Sequence, residues 1–157
     1  YWMGFTEYYQ DKVATQRPQM WGFQAAGAAP FVAGHPIAKP ETIATAIRIG
    51  KPASWDLAIA ARDDSGGLID SVTDEQILQA YRLLADKEGF FVEPSSAASV
   101  AGLLQQAQRG LVDAGSTIVC TVTGNGLKDT QWALESAKDP VVVPVDVKAA
   151  AAELGLA

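Results

Sequence analysis

Residues 117–122, which read Thr-Ile-Val-Cys-Thr-Val, constrain the fold more than any other stretch of this chain. The run is rich in β-branched side chains and too short for a buried helix, so it predicts a central strand covered on both faces. Thr123, Gly124, Asn125 and Gly126 follow directly and predict a tight turn. Because ligands of open α/β sheets bind beyond the carboxyl ends of strands, this turn is the candidate binding site. A Gly-x-Gly turn alone, however, is most often only a connection between a strand and a helix.

Strands and helices alternate along the rest of the chain, which predicts an α/β, three-layer architecture with a mainly parallel sheet. The patterns place further strands at 20–24, 67–72 and 141–145. They place helices at 1–15, 41–48, 54–63, 74–88, 95–108 and 129–137, and a final helix that ends at 156. Thr73 and Gln76 form a capping-box pattern before the clearest helix, and Ser54 is expected to cap another. The many Ala and Ser residues of 95–108 predict a helix that lies close to the sheet.

Composition and charge exclude several classes of function. The 157 residues are 48% hydrophobic and 19% charged, which is ordinary for one domain with a real core. A net charge of −6 without a cluster of Lys and Arg disfavours nucleic acid as a partner. No apolar run approaches the roughly 18 residues of a membrane span and no secretory signal opens the chain, so we expect a cytoplasmic protein. Because the chain starts at Tyr1 with residues typical of a helix interior, we expect it to be a fragment.

Isolated reactive residues indicate no chemistry of their own. Cys120 is the single cysteine, which excludes an internal disulfide framework, and its place in the apolar run predicts a buried small hydrophobe. His35 lies in a loop predicted at 31–40, without a Cys or a second His to share a metal, so no metal site is expected. The aromatic side chains of residues 1–15 are expected to pack and not to bind a ligand.

Three segments point together to one enzyme family: TVTGNGLKD at 121–129, VEPSSAAS at 92–99 and ETIATAIRIG at 41–50. They resemble the threonine synthases of the pyridoxal-phosphate-dependent β family, and the likeness runs from Tyr1 almost to Ala157. PASW at 52–55 favours this family over the related dehydratases and cysteine synthases. The resemblance implies a partial tryptophan synthase β-like fold, in which residues 1–157 are the C-terminal portion of the catalytic domain.

The resemblance also implies the cofactor pyridoxal 5′-phosphate and one wall of its site. Thr123 matches the family residue that contacts the ring nitrogen, and Gly124 and Asn125 match the loop that shapes this end of the site. Glu93 lies in a turn that approaches the ring in the family. A neutral hydroxyl at the nitrogen leaves the ring less electron-withdrawing than a carboxylate would, which suits elimination and replacement chemistry.

No catalytic residue is predicted within this chain. The family forms its Schiff base on a lysine in an N-terminal motif of the GSFKDRG type, and neither Lys51 nor Lys128 has that context. The loop that holds the cofactor phosphate is also absent. The complete enzyme would convert O-phospho-L-homoserine and water to L-threonine and phosphate, commonly as a homodimer, whereas this chain alone is expected to be inactive.

Several alternatives stay open at the level of sequence. Arg48 is either a solvated or ion-paired helix residue or a contact to the substrate phosphate, and Lys51 replaces a small polar residue common in the family. A threonine or serine dehydratase, or a cysteine synthase, would share the fold and the cofactor turn. A non-catalytic nucleotide-binding α/β module or a purely structural α/β fragment would also fit a lone Gly-x-Gly turn.

Overall fold

The computed structural model describes residues 1–137 and 139–156 as an α/β domain whose strands pair in parallel. The strands are β1 (Trp21–Ala25) and β2 (Leu68–Val72). The helices are α1 (Trp2–Gln10), α2 (Pro30–Ala33), α3 (Trp55–Ser65), α4 (Asp74–Leu83), α5 (Pro94–Gln108), α6 (Gln131–Ser136) and α7 (Val147–Glu153). Short 3₁₀ turns occupy Ala26–Ala28, Thr45–Ile47 and Gly126–Lys128.

The sheet is formed by the two strands predicted at 20–24 and 67–72. Trp21 lies opposite Leu68 at one end of the ladder, and Ala25 lies opposite Val72 at the other. Ala25 and Val72 are completely buried, so the carboxyl ends of both strands point into the core. The predicted parallel pairing is confirmed, although the sheet of the described residues has only these two strands.

Helix α4 begins at the predicted capping box. The Thr73 hydroxyl accepts a hydrogen bond from the Gln76 backbone N–H at 3.2 Å, and the Gln76 side chain accepts one from the Thr73 N–H at 2.8 Å. Two of the free donors at the helix start are therefore satisfied reciprocally. The helix continues into a π turn at Leu84–Glu88 and ends at Gly89, whose φ of 70° favours glycine.

Helix α5 packs on the sheet through small side chains, as predicted. A Cβ atom at Gly102 would overlap the ring of Phe23 on β1, so only glycine allows this close approach. The rest of the buried cluster comes from the strands, from α4 and α5 and from adjoining turns: Ala25, Ala44, Val72, Ile77, Ala80, Tyr81, Leu84, Val92, Ala97, Ala98 and Ala101. The core therefore includes Val92 and, in α5, Ala97 and Ala98, which are close in sequence to the predicted site residue Glu93.

Asp70 on β2 fixes the C-terminal end of α5 to the sheet. Its Oδ2 accepts hydrogen bonds from Gln106 Nε2 at 2.8 Å and from Arg109 Nη1 at 2.7 Å, while Oδ1 accepts one from the Ser71 N–H at 2.7 Å. Partial burial raises the pKa of Asp70, but the hydrogen bonds from Ser71, Gln106 and Arg109 outweigh it, so the pKa lies below its ordinary value.

The central strand predicted at 117–122 is wrong. Among the described residues, no backbone–backbone hydrogen bond joins residues 117–123 to another segment, and Val119 is 86% exposed instead of covered. Cys120 is only partly buried, although burial still raises its pKa. A strand requires a ladder partner on at least one edge, and none of the described residues supplies one here.

The edge strand predicted at 141–145 and the helix predicted at 41–48 are also wrong. Residues 141–145 form no strand and pair with no described segment, and Val142 is 93% exposed. Within 41–48 only the turn Thr45–Ile47 forms, because the Ala46 N–H, which an α-helix would bond to the Thr42 carbonyl, donates instead to Ser95 Oγ at 3.1 Å. The Glu41 N–H binds the Gly27 carbonyl, and the Ile43 N–H binds the Asp74 carboxylate.

Three local expectations need smaller corrections. Helix α1 forms, but none of its residues is buried and Tyr1 beside it is 81% exposed; the rings of Trp2 and Tyr9 contact the Arg17 guanidinium and not the core. Ser54 occupies the position before α3 without a side-chain capping bond. Part of the loop predicted at 31–40 belongs to the short helix α2, while His35 lies in the exposed part as expected. No described helix has the length and apolarity that a membrane crossing requires.

Candidate active site

The glycine-rich turn is held against the segment that precedes α5. Val92 and Asn125 form an isolated antiparallel bridge, flanked by hydrogen bonds from the Gly126 N–H to the Phe91 carbonyl and from the Glu93 N–H to the Gly124 carbonyl, both at 3.0 Å. Gly124 and Gly126 are buried. The turn is therefore fixed by backbone contacts and does not behave as a free loop.

A second attachment of the turn comes from Ser96, in the first turn of α5. Its hydroxyl accepts a hydrogen bond from the Gly124 N–H at 2.7 Å and lies 3.3 Å from the Gly124 carbonyl, to which it donates. Ser96 is 3% exposed. Both backbone groups of Gly124 are thus bonded inside the protein.

Two further serines of α5 hold the other segments of the site. Ser95 Oγ accepts a hydrogen bond from the Ala46 N–H at 3.1 Å, which fixes the turn at Thr45–Ile47. Ser99 Oγ donates to the Thr121 carbonyl at 3.3 Å. The start of α5 therefore joins all three segments that carry the family resemblance.

Glu93 lies behind the turn with its carboxylate almost completely buried. The residue is 4% exposed, and its Oε1 lies 3.6 Å from the ammonium of Lys128, whose own side chain is largely exposed. A Cβ atom at Gly124 would overlap the Glu93 carboxylate, so this glycine is needed for close packing. The positive charge of Lys128 partly offsets the desolvation free energy of the buried Glu93 carboxylate.

Thr123 stands at the exposed rim of this arrangement. Within the described part of the chain, its hydroxyl makes no hydrogen bond and its side chain is exposed. The four predicted site residues Thr123, Gly124, Asn125 and Glu93 therefore lie together, with Thr123 facing outward and Glu93 facing inward. Asn125 uses its side-chain oxygen to accept a hydrogen bond from the Leu127 N–H at 3.0 Å, so its main local role is to shape the turn.

An open cavity of about 760 Å³ lies beside the turn. Asp129, at the end of the turn, accepts a hydrogen bond from the Thr45 hydroxyl at 3.1 Å, and both residues line the cavity together with Arg48. Arg48 is exposed and forms no ion pair with any described residue. Because Glu41, Asp74 and Asp129 also line this wall, its charge does not favour a phosphate at Arg48.

Sequence reasoning missed the hydrogen-bonding role of Ser95, Ser96 and Ser99. The small size of these residues indicates room for close packing but does not indicate partners for their hydroxyl groups. The signal was present in the run SSAAS, because a serine in the first turn of a helix often bonds to a backbone outside it. The partner of Ser96 lies 28 positions away, which no local pattern can indicate.

Together these features define an α/β domain with a firmly held glycine turn and an exposed hydroxyl beside it, an arrangement of the kind that can form one wall of a small-molecule site. Among the described residues, no group of His, Cys, Asp and Glu could hold a metal ion.

A sequence model of a known protein family matches most of this chain. The model described as "Pyridoxal-phosphate dependent enzyme" matches residues 2–124, and the chain belongs to this family. The match ends at Gly124, within the glycine turn. The family resemblance expected from the sequence, and the pyridoxal-phosphate dependence that accompanies it, are confirmed.

Curated relatives agree with this assignment. The chain is 56% identical over 156 residues to the threonine synthase of Mycobacterium leprae, covering 99% of this chain and 43% of the relative. The threonine synthase of Methanocaldococcus jannaschii is 44% identical over 154 residues, covering 93% and 38%. The chain thus spans less than half the length of these relatives.

Two solved structures share the fold. The T.th. threonine deaminase has a TM-score of 0.50 at 25% identity, covering 63% of this chain and 35% of the other. The L-serine ammonia-lyase of the fungus Rhizomucor miehei has a TM-score of 0.57 at 22% identity, covering 78% and 41%. The predicted α/β class with a parallel sheet is confirmed.

Proposed function

We propose that this chain is the C-terminal portion of the catalytic domain of a threonine synthase. The complete enzyme converts O-phospho-L-homoserine and water to L-threonine and phosphate. The observation that carries the proposal is the 56% identity to the Mycobacterium leprae threonine synthase across 99% of this chain. A 56% identical alignment that covers nearly the whole chain, and with it the glycine turn, favours a shared reaction and not only a shared fold.

The residues of the turn fit pyridoxal 5′-phosphate. An exposed hydroxyl at Thr123 is free to bond a ring nitrogen, and the missing side chain at Gly124 lets the backbone lie flat against Glu93. When bound, the cofactor supplies an electron sink for chemistry at the amino-acid substrate. Thr123 would meet the ring nitrogen, Gly124 and Asn125 would shape the turn, and Glu93 would support it from behind.

This chain contributes binding and orientation, and we place the Schiff-base lysine and the cofactor-phosphate loop elsewhere in the complete protein. Lys128 is engaged with the buried Glu93 carboxylate at 3.6 Å, which argues against a role as a free amine nucleophile. Lys51 is exposed in the segment between the turn at Thr45–Ile47 and α3. Neither residue has the sequence context of the family lysine.

An assay on the complete protein tests the proposal. Phosphate release from O-phospho-L-homoserine is measured beside oxo-acid release from L-threonine. We expect phosphate and L-threonine as the main products. Oxo acid from L-threonine, without phosphate release from O-phospho-L-homoserine, would contradict the proposal and favour the activity named for the T.th. threonine deaminase.

We also propose that the complete enzyme is a cytoplasmic homodimer, as the resemblance implies. The exposed aromatic side chains on and beside α1, with Tyr1 at 81% and Tyr8 at 59% exposure, support a further protein surface over this helix. Sedimentation of the complete protein should give twice the mass of one chain. A monomer at micromolar concentration would contradict this part of the proposal.

A further inference from the structure

We infer that Ser96 is a positioning residue that fixes the peptide between Thr123 and Gly124, and thereby sets where the Thr123 hydroxyl meets the cofactor. The inference rests on the proposed role of Thr123 at the ring nitrogen. It assigns to Ser96 no contact with substrate or cofactor. Its effect passes through two hydrogen bonds to the Gly124 backbone.

The geometry at Gly124 carries this inference. The Gly124 N–H belongs to the peptide unit whose carbonyl carbon comes from Thr123, so a bond at 2.7 Å to Ser96 fixes the orientation of that whole plane. The Gly124 carbonyl is held from the other side by the Glu93 N–H at 3.0 Å. With both backbone groups of Gly124 bonded, the peptide plane that follows Thr123 is fixed, and this limits the directions that the Thr123 side chain can take.

Ser96 is chemically suited to this task. A hydroxyl can donate one hydrogen bond and accept others, so the single Ser96 oxygen serves both the N–H and the carbonyl of Gly124. At 3% exposure Ser96 is shielded from water, and water cannot easily replace either bond. Gly124 itself is buried, so a lost bond would leave its N–H without a partner.

Ser99 is the matched control on the same helix. Its half-buried hydroxyl lies 3.1 Å from the Ser96 carbonyl of its own helix and 3.3 Å from the Thr121 carbonyl, so its single proton is shared between these two acceptors and reaches no group of Gly124. A carbonyl left without this donor remains accessible to water. Removing the Ser99 hydroxyl should therefore leave the peptide plane at Thr123 unchanged.

The first measurement is independent of cofactor and activity. In the complete apoprotein, we expect Ser96→Ala to accelerate hydrogen exchange of the Gly124 amide by about tenfold or more, as loss of one buried hydrogen bond predicts. Amides in the middle of α5 should exchange at the wild-type rate, and Ser99→Ala should not change Gly124. If Ser96→Ala does not fold, Ser96→Cys carries the same test, with intermediate exchange expected because a thiol bonds more weakly.

A double-mutant cycle on pyridoxal phosphate affinity separates positioning from a general structural role. Ser96→Ala should raise the dissociation constant about tenfold in the wild-type background, but less than about twofold in a Thr123→Val background, because its effect passes through the Thr123 hydroxyl. Equal effects in both backgrounds, or unchanged Gly124 exchange, would overturn the inference. A different result would be faster Gly124 exchange in Ser96→Ala together with normal cofactor binding by Thr123→Val. That result would overturn the contact between Thr123 and the ring in the proposed function, but the hydrogen bonds from Ser96 to the Gly124 backbone would still be supported.

Discussion

Thr123 and Gly124 are neighbours in the chain with opposite environments, and this contrast determines what the site can do. The Thr123 side chain is exposed, whereas Gly124 is buried and bonded through both backbone groups. A free hydroxyl on a fixed backbone is the arrangement that binding a ring nitrogen in one orientation requires. At this scale glycine spacing and the family motif both indicate the turn, and the structure brings the predicted residues together, while their contact with the cofactor stays a prediction.

Replacing Thr123 by valine in the complete enzyme keeps the shape and removes the hydroxyl. A ring nitrogen without its partner loses about 1 kcal/mol, and up to about 3 if it remains buried and unsatisfied. We therefore expect a roughly fivefold to hundredfold weaker affinity for pyridoxal phosphate, with reduced turnover and an intact fold. Spectral titration with the cofactor and steady-state kinetics measure the two effects.

Thr121→Val is the control for this prediction. The Thr121 carbonyl accepts a hydrogen bond from Ser99, but its hydroxyl makes no hydrogen bond with any described residue. The substitution should leave affinity and turnover near wild type. Equal damage from both substitutions at unchanged stability would show that the ring contact belongs to Thr121 and not to Thr123.

At the scale of elements, the hydrogen bonds that Asp70 on β2 accepts from Gln106 and Arg109 at the end of α5 predict a pH dependence of stability. The pKa of Asp70 is lower in the folded state than the value of about 3.9 expected when unfolded. A depressed carboxyl pKa stabilises the fold above the unfolded pKa, and this stabilisation is lost as pH falls through the folded pKa. We expect a contribution on the order of 1 kcal/mol at neutral pH, since Arg109 is half exposed and screened by solvent.

Denaturant unfolding between pH 7 and pH 3 tests this contribution. Asp70→Asn should be less stable than wild type at pH 7 and should lose less stability as the solution is acidified. Asp63→Asn is the matched control, because Asp63 forms an exposed pair with Arg62 on α3 and should change the pH profile little. Parallel profiles for wild type and Asp70→Asn would contradict the assignment.

The elements differ in how far the sequence determines them. Helices α4 and α5 and the two strands were predictable, because their caps, breakers and periodicity are local and agree with the tertiary contacts. The helix predicted at 41–48 failed because the Ala46 N–H, which an α-helix would bond to the Thr42 carbonyl, bonds to the distant Ser95 side chain. The strand predicted at 117–122 failed because strand formation depends on a partner that no local pattern can guarantee.

At the scale of the whole molecule, this chain should bind pyridoxal phosphate poorly when alone. It presents one wall of the proposed site, and no lysine in it has the context of the family's Schiff-base residue. Adding the cofactor and removing excess by gel filtration should leave no stable visible absorption band. A retained band that disappears on substitution of one lysine would show that the chain contains the missing amine.

The open segment at 117–122 has a consequence for how this chain behaves in solution. It is uncharged, rich in β-branched residues and free of proline, and its backbone forms no hydrogen bond with the backbone of any described residue. Short segments of this kind, when uncovered, pair with copies of themselves and can nucleate cross-β fibrils. The nearest charged side chains, Asp113 and Lys128, lie outside the run and cannot interrupt it. Any protein surface that covers these residues therefore also protects the molecule from aggregation.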